Sequence, residues 1–160
     1  TEKLAKSAEF ARNTLTQRTK YPKTSVYVTV DGSQLNDGDF AGLIMLQAIY
    51  GFIGVAKEDG KTYLVMRAKA ESRGENEERE YARVELPDGK ATVKAEAKFS
   101  LGDSCEEFYY LDGGEWRKLG IDVHPQFDLR HFVGVRVGLC AYSTVKTGGK
   151  TEFTHFVYED

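Results

Sequence analysis

The sequence predicts an all-β chain, an antiparallel sandwich of two packed sheets of the jelly-roll kind with about ten or eleven short strands. Three observations predict it. Apolar and polar residues alternate with period two from Thr14 almost to the end. The alternating runs are short and are separated by turn clusters such as NDGD, EDGK, PDGK, LDGG and KTGGK. No helical crossovers lie between them, so successive strands pair by hairpins and longer loops as in sandwiches and barrels.

Taken in order, residues 1–12 (TEKLAKSAEFAR) place Leu4, Ala8 and Ala11 on one stripe of a short amphipathic helix, a weakly carried period that reads as an N-terminal lead-in. In SVYVTVD, Val26, Val28 and Val30 alternate with Tyr27 and Thr29, so one face is buried and the other wet. Strands follow near 40–47, 50–57 and 62–69. Residues 69–80 (KAESRGENEERE) form a charge-dense run without hydrophobic anchors and read as a long exposed loop. Beyond it come a strand near 80–86 and ATVKAEAKF, where Val93, Ala95, Ala97 and Phe99 alternate with Thr92, Lys94, Glu96 and Lys98. The remaining strands fall near 106–111, 116–119, 133–142 and 152–158. No internal repeat is visible, and residues 1–160 read as one sandwich domain.

Composition narrows the function classes. A chain of 160 residues buries roughly two-thirds of the surface of its unfolded form and needs neither disulfide nor metal to fold. With 22 Lys+Arg against 25 Asp+Glu, interspersed, there is no basic field for a phosphate backbone, which argues against nucleic acid as a partner. No apolar run approaches the ~20 residues of a membrane span, and the first residues do not read as a charged n-region followed by an apolar h-region. The chain begins with Thr1 and not Met, which reads as a processed product or a piece of something longer. Cys105 and Cys140 fit either one disulfide or two free thiols, and their spacing matches no zinc pattern. Localisation stays open between a secreted or cell-surface place, which is favoured, and the cytoplasm.

Catalytic chemistry is thin. Glycoside cleavage needs two carboxyl groups roughly 5–10 Å apart across a groove. Glu78 and Glu80 have i, i+2 spacing but lie in the charged run and read as solvated. Glu96 is flanked by Lys94 and Lys98 on its own strand face and reads as a solvent-side pair. His124, His131 and His155 stand in unrelated contexts without a Ser or Cys elbow. The stretch VDGSQLNDGD gathers Asp31, Asn36, Asp37 and Asp39, hard oxygen ligands that suit structural calcium, but the EF-hand spacing is absent. Tight turns need the same residues, and the turn reading is preferred. The expectation is a non-catalytic chain that requires no cofactor.

FYYLDGGEWRKLG, residues 108–120, carries the sole tryptophan beyond a Gly113-Gly114 turn. The turn sets Leu111 opposite Trp116, Tyr109 opposite Lys118 and Phe108 opposite Leu119. If Phe108 and Leu119 enter the core, Trp116, Tyr109 and Leu111 form a flat outward surface that can stack on a sugar ring. With the sheet the other way up, Tyr110 and Arg117 are exposed and Trp116 is core. Lys118 beside Trp116 favours the outward arrangement.

Several phrases together, RNTLTQRT (12–19), DGDFAGLIMLQ (37–47), YGFIGV (50–55), the Trp116 hairpin, VGVRVGLCAY (133–142) and TEFTHFVYE (151–159), resemble the C-terminal concanavalin A-like β-sandwich of glycoside hydrolase family 43 β-xylosidases and α-L-arabinofuranosidases. The resemblance runs over nearly the whole chain. It implies a detached accessory module whose catalytic carboxylates sit on a separate five-bladed propeller. Its expected partners are that propeller and a plant polysaccharide, xylan or arabinoxylan. It also nominates Arg18 with Gln17, Gln47 and Tyr50 as polar and aromatic positions near one end of a sheet, for sugar binding or equally for folding. With Tyr109 and Trp116 they make up the carbohydrate-binding candidates. The alternative is a purely structural sandwich that shapes the propeller and takes no ligand.

Overall fold

The computed structural model describes residues 1–70, 77–126 and 133–160. Its strands are β1 (Asn13–Arg18), β2 (Lys23–Asp31), β3 (Asp39–Leu46), β4 (Tyr50–Glu58), β5 (Lys61–Lys69), β6 (Arg79–Glu85), β7 (Lys90–Lys98), β8 (Cys105–Asp112), β9 (Glu115–Lys118), β10 (Arg136–Ser143) and β11 (Glu152–Glu159). They form a six-stranded sheet, β1-β10-β3-β4-β5-β6, and a five-stranded sheet, β11-β2-β7-β8-β9, all paired antiparallel. The eleven strands match the expected sandwich. Among the described residues no helix is long and apolar enough to cross a membrane.

The period-two pattern decides what lies between the sheets. Val26, Val28 and Val30 of β2, Val93, Ala95 and Ala97 of β7 and Phe108 of β8 face Leu43 and Met45, Ile53 and Val55, and Leu64 and Met66 of the other sheet in one continuous core. Phe108 reaches across far enough that a Cβ on Gly51 would lie 2.2 Å from its ring, so β4 needs glycine there. That contact orients the hairpin: Phe108 inward puts Tyr109 and Leu111 outward. Cys105 and Cys140 stand on different sheets and are both free. Burial pushes the Cys140 thiol up to about 12, which makes it inert.

The N-terminal segment departs from the expected helix. Among residues 1–12 only Ala8–Phe10 are helical, a three-residue 3-10 turn. The segment runs as a strap over the outer face of the six-stranded sheet, with Ala5 and Ala8 packed among Phe40, Ile44, Tyr50, Phe52, Val65 and Tyr142. Small alanines admit this close approach, where a helix of the same length would stand off by its full radius. The Ala5 N–H donates to the Ser143 carbonyl at 2.9 Å, the Thr1 amine donates to the Gly149 carbonyl at 2.8 Å, and Lys69 pairs with Glu9 at 3.0 Å.

A single carboxylate ties this layer together. Glu78 accepts hydrogen bonds from the Tyr50 hydroxyl at 2.7 Å, the Tyr142 hydroxyl at 2.8 Å and the strap's Ala8 N–H at 2.8 Å, and pairs with Arg67 Nε at 2.8 Å. Its side chain is 2% exposed, which overturns the reading of Glu78 as a solvated acid. The Arg67 guanidinium lies 4.5 Å from the Phe40 ring centre, and Phe40 stacks on Tyr142 at 4.9 Å and 11°. Glu80 conforms to the solvated reading, pairing with the half-exposed Arg83. Of the expected loop 69–80, residues 71–76 lie outside the described residues, and so does His131.

Removing the Glu78 carboxylate strands a guanidinium, two buried hydroxyls and a strap N–H at once. Glu78→Ala is expected to lower the free energy of urea unfolding by about 3–5 kcal/mol, the usual cost of breaking a buried pair from one side. Glu80→Ala, two residues away, is expected to change it by less than about 1 kcal/mol. Equal effects at the two positions would show that Glu78 is not the hub.

Candidate functional site

With the strap over one sheet, the outer face of the five-stranded sheet is the broad open surface. Because Val26, Val28, Val93, Ala95 and Phe108 point inward, their odd and even neighbours must point outward. The pairing Tyr27–Lys94–Tyr109–Lys118 crosses four strands in one row, and Leu111–Trp116 lies in the next. Trp116 is 37% exposed and Leu111 42%, so the hairpin adopts the outward arrangement. Tyr27 and Trp116 lean toward one another over β7 and β8 until their ring centres are 5.8 Å apart at 55°.

Lys94 organises the centre of this face. Its ammonium lies 4.4 Å from the Tyr109 ring centre, 4.8 Å from that of Trp116 and 2.9 Å from Glu96 Oε1. Glu96 also pairs with Lys23 at 3.1 Å. Burial pushes the Glu96 carboxyl up, yet the hydrogen bonds from Lys94 and Lys23 outweigh it and hold the group below its ordinary value. Glu96 is only 8% exposed, so the expected solvent-side pair is more enclosed than its sequence neighbours implied. Glu107, next along, accepts from Lys98 and from Lys118 at 3.1 Å, and the Lys98 hydrogen bond foremost lowers its carboxyl to about 2. Burial, and after it the hydrogen bond to Glu107, raises the Tyr109 phenol.

Two carboxylates held ionised by lysines are poor proton donors, so this face is not arranged for general acid catalysis. What it offers is a row of aromatic rings braced by ammonium groups, with the linked hydroxyls of Thr29 and Thr92, 2.8 Å apart, beside them. Rings of this kind stack on the C–H faces of sugars, and the flanking polar groups exchange hydrogen bonds with hydroxyls.

The other nominated residues lie elsewhere. Arg18 ends β1 in register with Arg136 and, with Thr19, Val133 and Val135, lines a cleft of about 210 Å³ at one end of the six-stranded sheet. Gln47 is near the same end, its amide donating to the Val133 carbonyl at 3.4 Å while its Oε1 has no partner. Tyr50 is fully buried beneath the strap and spends its hydroxyl on Glu78. Burial first and then Glu78 drive its phenol well above the ordinary range. The five candidates therefore divide among three places: Arg18 and Gln47 at one end of the six-stranded sheet, Tyr50 beneath the strap, and Tyr109 and Trp116 on the five-stranded face.

Each acid of the VDGSQLNDGD stretch closes a turn or a strand end. Asp31 accepts from Lys90 at 2.8 Å and from the Ser33 N–H at 2.9 Å, which bring its carboxyl down to about 2. Asp37 accepts from the Gly60 N–H at 2.8 Å, and the fully buried Asp39 accepts from the Asn36 N–H at 2.7 Å. Among the described residues no group of three or more His, Cys, Asp or Glu side chains is placed to hold a metal ion.

Sequence reasoning missed Tyr27 and Lys94 as members of the aromatic row. The signal was present for their direction, since the alternation in β2 and β7 sends both outward. It was absent for their meeting with Trp116, which depends on β2-β7-β8-β9 being neighbours in that order.

The family described as Beta xylosidase C-terminal Concanavalin A-like domain matches residues 1–159. None of the curated proteins matches the chain. Among solved structures, a bifunctional GH43-CE protein of Bacteroides eggerthii is similar with TM-score 0.91 and 37% identity, over 100% of this chain and 20% of that one. A GH43 glycoside hydrolase engineered to display both endo-xylanase and exo-arabinofuranosidase activity is similar with TM-score 0.88 and 26% identity, over 99% of this chain and 33% of that one. A xylan β-1,4-xylosidase from Bacillus halodurans shares the fold at TM-score 0.71 and 16% identity. The chain thus spans 20% and 33% of the length of the first two.

The charge lattice around Lys94 makes a pH prediction. A carboxyl depressed in the folded state adds stability that is present above its unfolded value, ~4.3 for Glu, and is lost as pH falls through the folded value, here about 2. Glu107→Gln is therefore expected to unfold at lower urea than wild type at neutral pH, with the gap closing between pH ~4.3 and ~2. A gap that stays constant across that window would mean the lysine pairing contributes nothing.

Proposed function

The chain belongs to the family of β-xylosidase C-terminal concanavalin A-like domains, and on that premise we propose that it is a non-catalytic accessory module that binds xylan or arabinoxylan on the outer face of its five-stranded sheet. The catalytic domain belongs to the larger chains in which such sandwiches occur. The observation that carries the binding reading is the outward Trp116 leaning from its own row onto Tyr27 and Lys94 of the neighbouring Tyr27–Lys94–Tyr109 row. In this reading pyranose rings stack on the exposed part of Trp116 and Leu111. Thr29, Thr92 and the lysines exchange hydrogen bonds with the sugar hydroxyls, and no bond is made or broken. The endo-xylanase and exo-arabinofuranosidase activity of the engineered relative agrees with a xylan-type ligand.

A second reading has its own observation. Leu4, Phe10 and Leu15, close in sequence along the strap and β1, are 56%, 53% and 75% exposed. Apolar groups left open in this way are what a sandwich shows when its role is to pack against a catalytic propeller and shape it, with no ligand of its own.

Calorimetry with xylan, arabinan and cellulose separates the two. Binding is expected to xylan or arabinoxylan and to weaken at least ~10-fold in Trp116→Ala, a loss of ~1.4 kcal/mol. The same variant should still unfold in one cooperative transition, which separates a lost binding surface from a lost fold. Absence of binding to all three polysaccharides by the wild-type chain would sink the binding reading in favour of the structural one.

A further inference from the structure

Apart from Glu78, the buried charged residues among those described are Asp39, Glu96 and Glu106. Asp39 accepts a backbone N–H and Glu96 lies between two lysines. Glu106 is different. It is 0% exposed, and neither of its carboxyl oxygens has a hydrogen-bond partner. The residue is on β8, two before the inward Phe108 and opposite Ala97 of β7, so its side chain enters the apolar layer between the sheets.

The cover over this carboxyl is thin. Beyond β9 the chain passes through residues 119–124 with few attachments. The Leu119 N–H donates to the Phe108 carbonyl at 2.9 Å, and Glu106 and Val123 exchange backbone hydrogen bonds of 2.8 and 3.0 Å. Asp122 pairs with Lys118 at 2.5 Å, and His124 Nδ1 lies 3.2 Å from the Ser104 carbonyl. Leu119 and Val123 of the segment are buried in the core, and Ile121 packs against it. The segment is continuous with β9, which carries Trp116.

The titratable groups around this strip are Cys105 and Glu107 on β8, Glu96 and Lys98 on β7, Lys118 on β9, and Asp122 and His124 on the segment. Glu96, Glu107, Lys98, Lys118 and Asp122 are engaged with one another or with neighbouring lysines on the outer surface. From the six-stranded sheet the core cluster presents apolar side chains only, and none of the described buried residues is a cation. A carboxylate at this position would have no counter-charge, so the neutral acid is the form that fits the closed structure.

We propose that Glu106 is a proton-held latch: as the neutral acid it lets residues 119–124 close over the end of the core, and on losing its proton it releases them toward solvent. Lifting this segment is the shortest route by which water reaches the carboxylate, because it breaks five polar contacts where opening either sheet would break a whole ladder. Burial holds the Glu106 carboxyl well above the usual carboxylate range. For an acid raised in the closed state, closure is complete below the free value of ~4.3 and is lost as pH rises through the closed-state value. The proposal does not depend on the sandwich binding sugar.

Hydrogen exchange of residues 105–124 in the whole chain, between about pH 5 and pH 8.5, tests it together with the fluorescence of Trp116, the sole tryptophan. After correction for intrinsic exchange, the Val123 and Glu106 amides of wild type are expected to open more with rising pH, approaching ~10-fold per unit once the carboxyl ionises in the open form. Trp116 emission should shift in parallel. Glu106→Gln should abolish the pH dependence, and Glu106→Leu should keep the segment closed throughout. His124→Gln should behave as wild type. Parallel opening in wild type and Glu106→Gln would overturn the latch, and so would loss of the pH dependence in His124→Gln.

Discussion

Four groups from four parts of the chain converge on Glu78: Arg67 of β5, Tyr50 of β4, Tyr142 of β10 and the Ala8 N–H of the strap. A buried carboxylate is tolerable only when its lone pairs are filled and a cation is beside it, and this one meets both conditions. The consequence spreads outward. Because the carboxylate anchors the strap, the aromatic face of Phe40, Tyr50, Phe52 and Tyr142 is covered from solvent, and the six-stranded sheet becomes a three-layer structure with a strap as its third layer. The network is mutually polarising, so its members stand or fall together.

The two outer faces are thereby given different characters. On the six-stranded sheet the aromatics are enclosed and their polar atoms are spent internally. On the five-stranded sheet Tyr27, Tyr109 and Trp116 are braced by Lys94, while Glu96 and Glu107 each pair with two lysines and Asp122 pairs with Lys118. A surface whose charges are paired in this way presents rings and hydroxyls to a ligand and little net field, which suits a neutral polysaccharide better than an ionic partner. The hairpin geometry that exposes Trp116 is set from the inside, by Phe108 filling the space that Gly51 leaves open.

Much of the fold was legible because the side-chain period of a strand is a local property. Val26, Val28 and Val30 announce both a strand and its buried face without reference to anything else in the chain. Glu78 was illegible for the opposite reason. It belongs to a run in which every neighbour is polar, and only the return of β6 alongside β5 brings it under the strap. The same applies to the strap, whose Leu4, Ala8 and Ala11 suggest a helix until the Ser143 carbonyl and Glu78 offer its backbone other partners. For the candidate site, the Gly113-Gly114 turn fixed which residues of the hairpin share a face. Which face is wet depended on a residue of the other sheet, and Tyr27 joined the row through strand order, which no local pattern encodes.

We propose that a glycan meets this sandwich on the five-stranded face because the strap covers the other. Chemical-shift mapping of the isotope-labelled chain during titration with a xylo-oligosaccharide tests it directly. Shifts are expected to centre on Tyr27, Lys94, Tyr109, Leu111 and Trp116, with the amides of the strap and of β3, β4 and β10 undisturbed. Shifts centred on the strap and on Tyr50, Arg67 and Tyr142 would contradict it, as they would place the ligand where Glu78 holds the structure closed.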